Sequence, residues 1–199
     1  SSKSVLYRLG DRLDMLETAI EDYPLYVLDN GGIEQDPDLW WEAICRGTQA
    51  VLRRAQVAPE AIQGMAFCAQ MQGFVPVDAD GHALGRAMSY MDARGTAQRR
   101  RYLQDGLLKI EGMNAVKLLS ALRITGGASA SAKDPLWKYL WLREEDPERF
   151  RALRCWLDVK DYLVMRCTGQ FTLGYDSAHA TFLFDTRPDH LEWHEGLCR

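Results

Sequence analysis

The chain has 199 residues, 47% of them hydrophobic, and carries a formal net charge of −4. That length and apolar content suffice for one well-packed core and read as one domain. The acidic balance gives no broad attraction for nucleic acid or anionic lipid, and no apolar run approaches the roughly 20 residues that a bilayer span requires.

In chain order, Ser1-Ser2-Lys3 leads into a short strand over Ser4 to Tyr7, and a second strand is predicted over Leu13 to Ala19. Asp36 followed by Pro37 is a helix start, with the cap and the fixed φ of proline in the right order. Trp40, Ile44, Thr48 and Val51 then recur on one helical face, so the paired tryptophans Trp40 and Trp41 read as core. Met65 to Ala69 and Phe74 to Val77 are two short apolar runs flanking the turn Gln70-Met71-Gln72-Gly73, which predicts a hairpin. A second turn follows at Asp78 to Gly81. Asp92 is placed to cap a polar helix running to Leu103, and a further short helix is expected within Lys109 to Leu122.

Beyond the small-residue loop Thr125 to Ala132, Asp134-Pro135 starts a helix. Leu136, Tyr139, Leu140 and Arg143 are expected to line its inner face, and Asp146-Pro147 to stop it. Cys155 to Leu157 is predicted as a strand, and Asp158 as the cap of a helix ending near Thr168-Gly169. His194 to Arg199 opens a last helix. Cys45, Cys68, Cys155, Cys167 and Cys198 form no CxxC pair and are odd in number, so thiols in a reducing compartment are expected. The four histidines show no zinc-binding spacing, and Arg99-Arg100-Arg101 reads as a solvated helix face.

Several strings resemble the N-terminal domain of the FGGY carbohydrate kinases, most of all the xylulokinase branch. They are Ala69-Gln70-Met71-Gln72-Gly73, Val77-Asp78-Ala79-Asp80-Gly81 and Tyr90-Met91-Asp92-Ala93-Arg94. Further along come Lys138-Tyr139-Leu140-Trp141, Lys160-Asp161-Tyr162-Leu163 and the segment from Tyr175 to Asp185, and Glu34 to Trp41 adds the most distinctive local match. The resemblance runs colinearly over nearly the whole chain. It implies an α/β fold, an actin-like (ribonuclease H-like) ATPase lobe with a mixed β-sheet flanked by helices, whose first strand is missing. It also implies that the lobe is truncated at both ends and that the nucleotide-binding C-terminal domain lies outside it.

Phosphorylating a sugar hydroxyl requires a carboxylate base, a magnesium-bound triphosphate held in line, and polar groups that fix the sugar. The resemblance implies ATP and Mg2+ as cofactors and places the catalytic Asp downstream of these residues. Substrate-binding candidates are Met71, Gln72, Tyr90, Asp92 and Arg94; Ser1, Ser2 and Lys3 are the candidates for the nucleotide phosphates. Gln72 can donate and accept, Asp92 can accept, Arg94 can donate, and Met71 with Tyr90 can wall the carbon skeleton. Each has a plain structural reading too: turn stabilisation for Gln72, a helix cap for Asp92, an ion pair for Arg94. Gln72 stands where the xylulokinase pattern has His, and Tyr90-Met91 where it has Trp-Asn, which leaves another ketose, a polyol or an aldonate open as substrate. A sugar-binding module without phosphoryl transfer is the reading from a different class. The expected partner is a small sugar, with no nucleic acid or membrane and with a homodimer left open; the expected location is the cytoplasm, and the 199 residues by themselves are expected to be inactive.

Overall fold

The computed structural model describes residues 1–198. Two compact units divide the chain, Ser1–Leu25 with Gln35–Cys68 in the first and Tyr26–Glu34 with everything from Ala69 onward in the second.

In the first unit, β1 (Ser2–Leu9) and β2 (Leu13–Glu21) form an antiparallel pair with an irregularity between Leu6 and Tyr7. The helix α1 (Pro37–Ala55) packs on both strands. Its start is the expected one: the Asp36 side chain accepts from the Asp38 N–H, and Pro37 occupies the first turn. Trp40, Ala43, Gly47 and Val51 form the buried stripe, while Ile44 and Thr48 are only half-buried. A glycine inside a helix costs on the order of 1 kcal/mol relative to alanine. Gly47 has a reason to be there, since a Cβ at that position would lie 2.6 Å from the Ser4 Oγ.

Where a mixed sheet was expected, the second unit contains small separate sheets among the described residues. Among the described residues, β3 (Tyr26–Val27), β4 (Ile33–Gln35) and β6 (Ala87–Met88) form one sheet, with β3 and β4 antiparallel. β5 (Val75–Val77) pairs antiparallel with β9 (Cys155–Leu157), and β7 (Lys109–Ile110) with β8 (Met113–Asn114). The hairpin expected from the two apolar runs does not form. Met65 to Ala69 has no strand, and Val75–Val77 takes its partner from about 80 residues further along the chain. All three β5 residues are buried, and β9 supplies the hydrogen-bonding partner, with Pro76 opposite Trp156. Phe74, Met88 and Leu142 form the core there with Tyr139, Phe150 and Trp156, and the Phe74 and Trp156 rings stack at 5.5 Å.

The helices are α2 (Thr96–Leu103), α3 (Ala115–Thr125), α4 (Pro135–Glu145), α5 (Pro147–Ala152), α6 (Val159–Thr168), α7 (Tyr175–Ala180) and α8 (Glu195–Cys198). α6 is capped by Asp158 and ends at Gly169 in the left-handed region, as its sequence predicts. Two expectations are corrected. α2 begins after Gly95 with no side-chain cap, so Asp92 does not cap it. α4 buries Trp137, Lys138, Leu140 and Leu142, leaving Arg143 exposed and Leu136 half-buried. No helix among the described residues is long and apolar enough to cross a membrane.

Candidate functional site

The turn Gln70–Gly73 lies at the entrance to the second unit's core. Just beyond it, Phe74 exchanges two backbone hydrogen bonds with Met88, at 2.9 and 3.0 Å, which brings the segment leading to Tyr90 alongside the turn. The Ser89 hydroxyl donates to the Gln70 Oε1 at 3.2 Å and ties the two segments again.

Gln72 has φ +62°, a left-handed conformation that costs a non-glycine residue on the order of 1 kcal/mol or more. Three buried charged side chains hold it there. The Gln72 N–H donates to Asp158 Oδ2 at 3.0 Å, its carbonyl accepts from Lys138 Nζ at 2.7 Å, and its side-chain Nε2 donates to Asp134 Oδ1 at 3.0 Å. Strain of this kind persists only where the surroundings over-determine it. Gly73 allows the close approach, because a Cβ there would lie 2.5 Å from Val159 Cγ2 and 3.3 Å from Asp158 Oδ1.

Each of the three holders is itself fixed. Lys138 is fully buried and donates also to the Ser89 carbonyl at 2.7 Å. Asp158 accepts from the Val159 N–H at 2.6 Å. Asp134 accepts from the Ser129 hydroxyl at 3.0 Å and the Ser131 N–H at 3.1 Å. Burial disfavours charge in all of them. It draws the Lys138 ammonium down to about 8, opposed by the carboxylates of Asp92, Asp158 and Asp134. It pushes the Asp158 carboxyl up to about 6 against the pull of the Val159 and Gln72 N–H groups, and it raises Asp134 as well.

Of the predicted substrate residues, Met71 is 59% exposed, Tyr90 47% exposed, and Gln72 half-buried with no donor on its Oε1 among the described residues. Asp92 and Arg94 sit differently, and the expectation that both face a ligand is revised. Asp92 is 0% exposed; its carboxylate accepts from the Ile33 N–H at 2.9 Å, the Arg94 N–H at 3.1 Å and the Arg94 Nε at 3.0 Å. The guanidinium also lies 2.9 Å from Glu34 and stacks 4.4 Å from the Trp141 ring centroid. With nearly all of their polar atoms answered inside the fold, the two residues form a structural ion pair, the alternative that the sequence left open for Arg94. Asp134, Lys138 and Asp158 were missed as holders of the turn. The available signal was a lysine placed among the apolar residues of α4.

For the phosphates, Ser2 and Lys3 lie in β1 and Ser1 precedes it, so these residues are extended and not folded as a turn. Lys3 is exposed and no carboxylate takes it up among the described residues, which leaves its ammonium available to an anion. Asp78, Asp80 and His82 bring metal-capable atoms within 4.8 Å of one another on the surface of a turn. Asp78 is already committed there to the N–H groups of Asp80 and His82, at 3.0 and 2.9 Å.

The second unit thus presents a polar turn held by buried side chains, in a chain of mixed α/β structure. The chain superposes on a xyloylose kinase from Brucella ovis with a TM-score of 0.81, over 98% of this chain and 37% of that one at 21% identity. A gluconate kinase from Lactobacillus acidophilus gives 0.77 over 98% and 36% at 22% identity. The model of the FGGY family of carbohydrate kinases, N-terminal domain, matches residues 2–199, and the chain belongs to this family. Within it the chain is xylulose kinase-like, being 28% identical over 180 residues to the xylulose kinase of Staphylococcus epidermidis. That match covers 90% of this chain and 33% of the relative, so the chain spans about a third of the length of the curated relatives it matches.

Proposed function

We propose that this chain is the sugar-binding lobe of an ATP-dependent kinase that phosphorylates a hydroxyl of a small sugar, with a ketose such as xylulose as the leading candidate. Bound ATP with Mg2+ supplies the transferable phosphoryl group and neutralises its charge. The residues assigned here do the positioning: Met71 and Tyr90 wall the carbon skeleton, and the Gln72 amide meets a sugar hydroxyl. Asp92 and Arg94 support that surface from within the fold, and Lys3 with Ser1 and Ser2 is the candidate phosphate contact. The proton acceptor is assigned to residues outside this chain.

The observation that carries this reading is Gln72, kept in a strained conformation by three buried ionisable groups while its amide oxygen meets no donor among the described residues. A neutral amide in place of a titratable imidazole makes another ketose, a polyol or an aldonate the alternative substrate. The test is ADP release by the purified full-length protein with D-xylulose, glycerol and D-gluconate in turn. Turnover on D-xylulose with the highest kcat/KM is expected, together with no sugar-dependent ADP release from the 199 residues alone. Preference for D-gluconate would move the assignment to the alternative, and turnover on none of the three would remove the kinase reading.

A further inference from the structure

Asp134 stands where a helix-capping carboxylate belongs, immediately before Pro135 and α4, yet its side chain makes no capping hydrogen bond. An N-cap aspartate ordinarily accepts from the exposed N–H groups of the first helical turn, and losing that bond weakens the helix. At 3% exposure, Asp134 has turned its carboxylate away from its own helix, toward the Gln72 amide on one oxygen and toward Ser129 and Ser131 on the other. The same Ser129 accepts at its carbonyl from the Trp137 indole N–H at 3.1 Å, which ties the loop before the helix to α4.

A carboxylate only accepts, so the group that faces Asp134 Oδ1 must be the NH2 end of the Gln72 amide. The amide is planar, and fixing the nitrogen fixes the oxygen on the opposite side. The Gln72 backbone cannot turn to compensate, because its N–H and its carbonyl are held separately by Asp158 and Lys138. We propose that Asp134 is a positioning residue that locks the Gln72 amide with its Oε1 toward the ligand, so that the turn presents a hydrogen-bond acceptor and selects a substrate hydroxyl able to donate. This rests on the assignment of Gln72 to sugar binding and adds to it the residue that decides which end of the amide the sugar meets.

The test uses purified full-length protein and the variants Asp134→Asn, Asp134→Ala and, as a control for removing an Asp-Pro helix-start carboxylate elsewhere, Asp146→Ala. Asp146 caps α5 through the Arg149 N–H at 3.2 Å and touches nothing in the turn. Two readouts are taken: KM and kcat on D-xylulose, D-gluconate and glycerol, and the side-chain NH2 resonances of Gln72, assigned by their loss in Gln72→Glu. We expect KM on the accepted sugar to rise about tenfold in both Asp134 variants with kcat within about twofold, and the Gln72 resonances to move; Asp146→Ala should change neither. A KM in the Asp134 variants no higher than in Asp146→Ala would overturn the proposal. Should the wild type phosphorylate none of the three compounds, the kinase assignment fails and the resonances decide the positioning role by themselves. Resonances that move in Asp134→Ala sustain it, and unmoved resonances overturn it.

Discussion

Two buried polar clusters in the second unit meet at the Ser89 carbonyl, which accepts from Lys138 Nζ at 2.7 Å and from the Asp92 N–H at 3.0 Å. On one side, Glu34, Asp92 and Arg94 answer one another, and the ion pair is sealed by Trp141. On the other, Asp134, Lys138 and Asp158 converge on the half-buried Gln72, whose amide oxygen meets no donor among the described residues. Both clusters hold charge at low exposure, so burial and charge alone do not mark a ligand site. What separates them is where the hydrogen bonding ends: within the protein in the first, at a reachable neutral group in the second.

Breaking the closed cluster should have the largest effect. Arg94→Met strands two buried carboxylates, and a loss of roughly 3–5 kcal/mol in urea unfolding is expected. Joining Arg94→Met to Asp92→Leu should recover part of that loss, because the uncompensated charge is removed as well. Lys138→Met comes next. It removes the Lys138 donor from the Gln72 carbonyl and leaves the Ser89 carbonyl with the Asp92 N–H, and should cost about 2–4 kcal/mol, with weaker sugar binding as the turn relaxes.

A pH series sharpens the contrast through Asp158. Its folded-state value of about 6 lies above the ordinary 3.8, so between those values the folded carboxyl holds its proton while the unfolded one has lost it. Its contribution to stability is therefore present at the acid end and declines as pH rises from about 4 to about 6, by on the order of 2–3 kcal/mol, and is flat above. Unfolding measured at pH 4, 5, 6 and 7 should show the wild type losing ground to Asp158→Asn across that window. A difference that does not change with pH would refute the assignment. The smallest stability change is expected for Gln72→Gly, within about 1 kcal/mol, since glycine relieves the left-handed strain while the bond to Asp134 is lost. The same substitution should raise KM for the sugar at least about tenfold, which separates the functional cost from the structural one.

Elements built from neighbouring residues were legible in the sequence. The Asp36-Pro37 start of α1, the Asp158 cap and Gly169 stop of α6, and the short β9 strand all formed as their local chemistry dictates, while the buried stripe of α1 kept Trp40 and Val51 but took Ala43 and Gly47 in place of Ile44 and Thr48. The polar turn at Gln70–Gly73 was located correctly as well. Its strand partner was not, because apolar runs state that a segment is buried without stating against what, and Val75–Val77 found Cys155–Leu157. Asp92 was read as a helix cap and Asp134-Pro135 as a helix start, and both carboxylates serve other groups: Ile33 and Arg94 in one case, Gln72, Ser129 and Ser131 in the other.

By itself the sequence determined the starts of α1 and α4, the cap and end of α6, the family and the position of the turn, because these depend on motifs and hydrogen bonds within a few residues. Only the tertiary structure decided which buried charge faces which partner. That choice is made between segments up to 86 residues apart, as from Gln72 to Asp158, and it follows from which groups are left together once water has been removed.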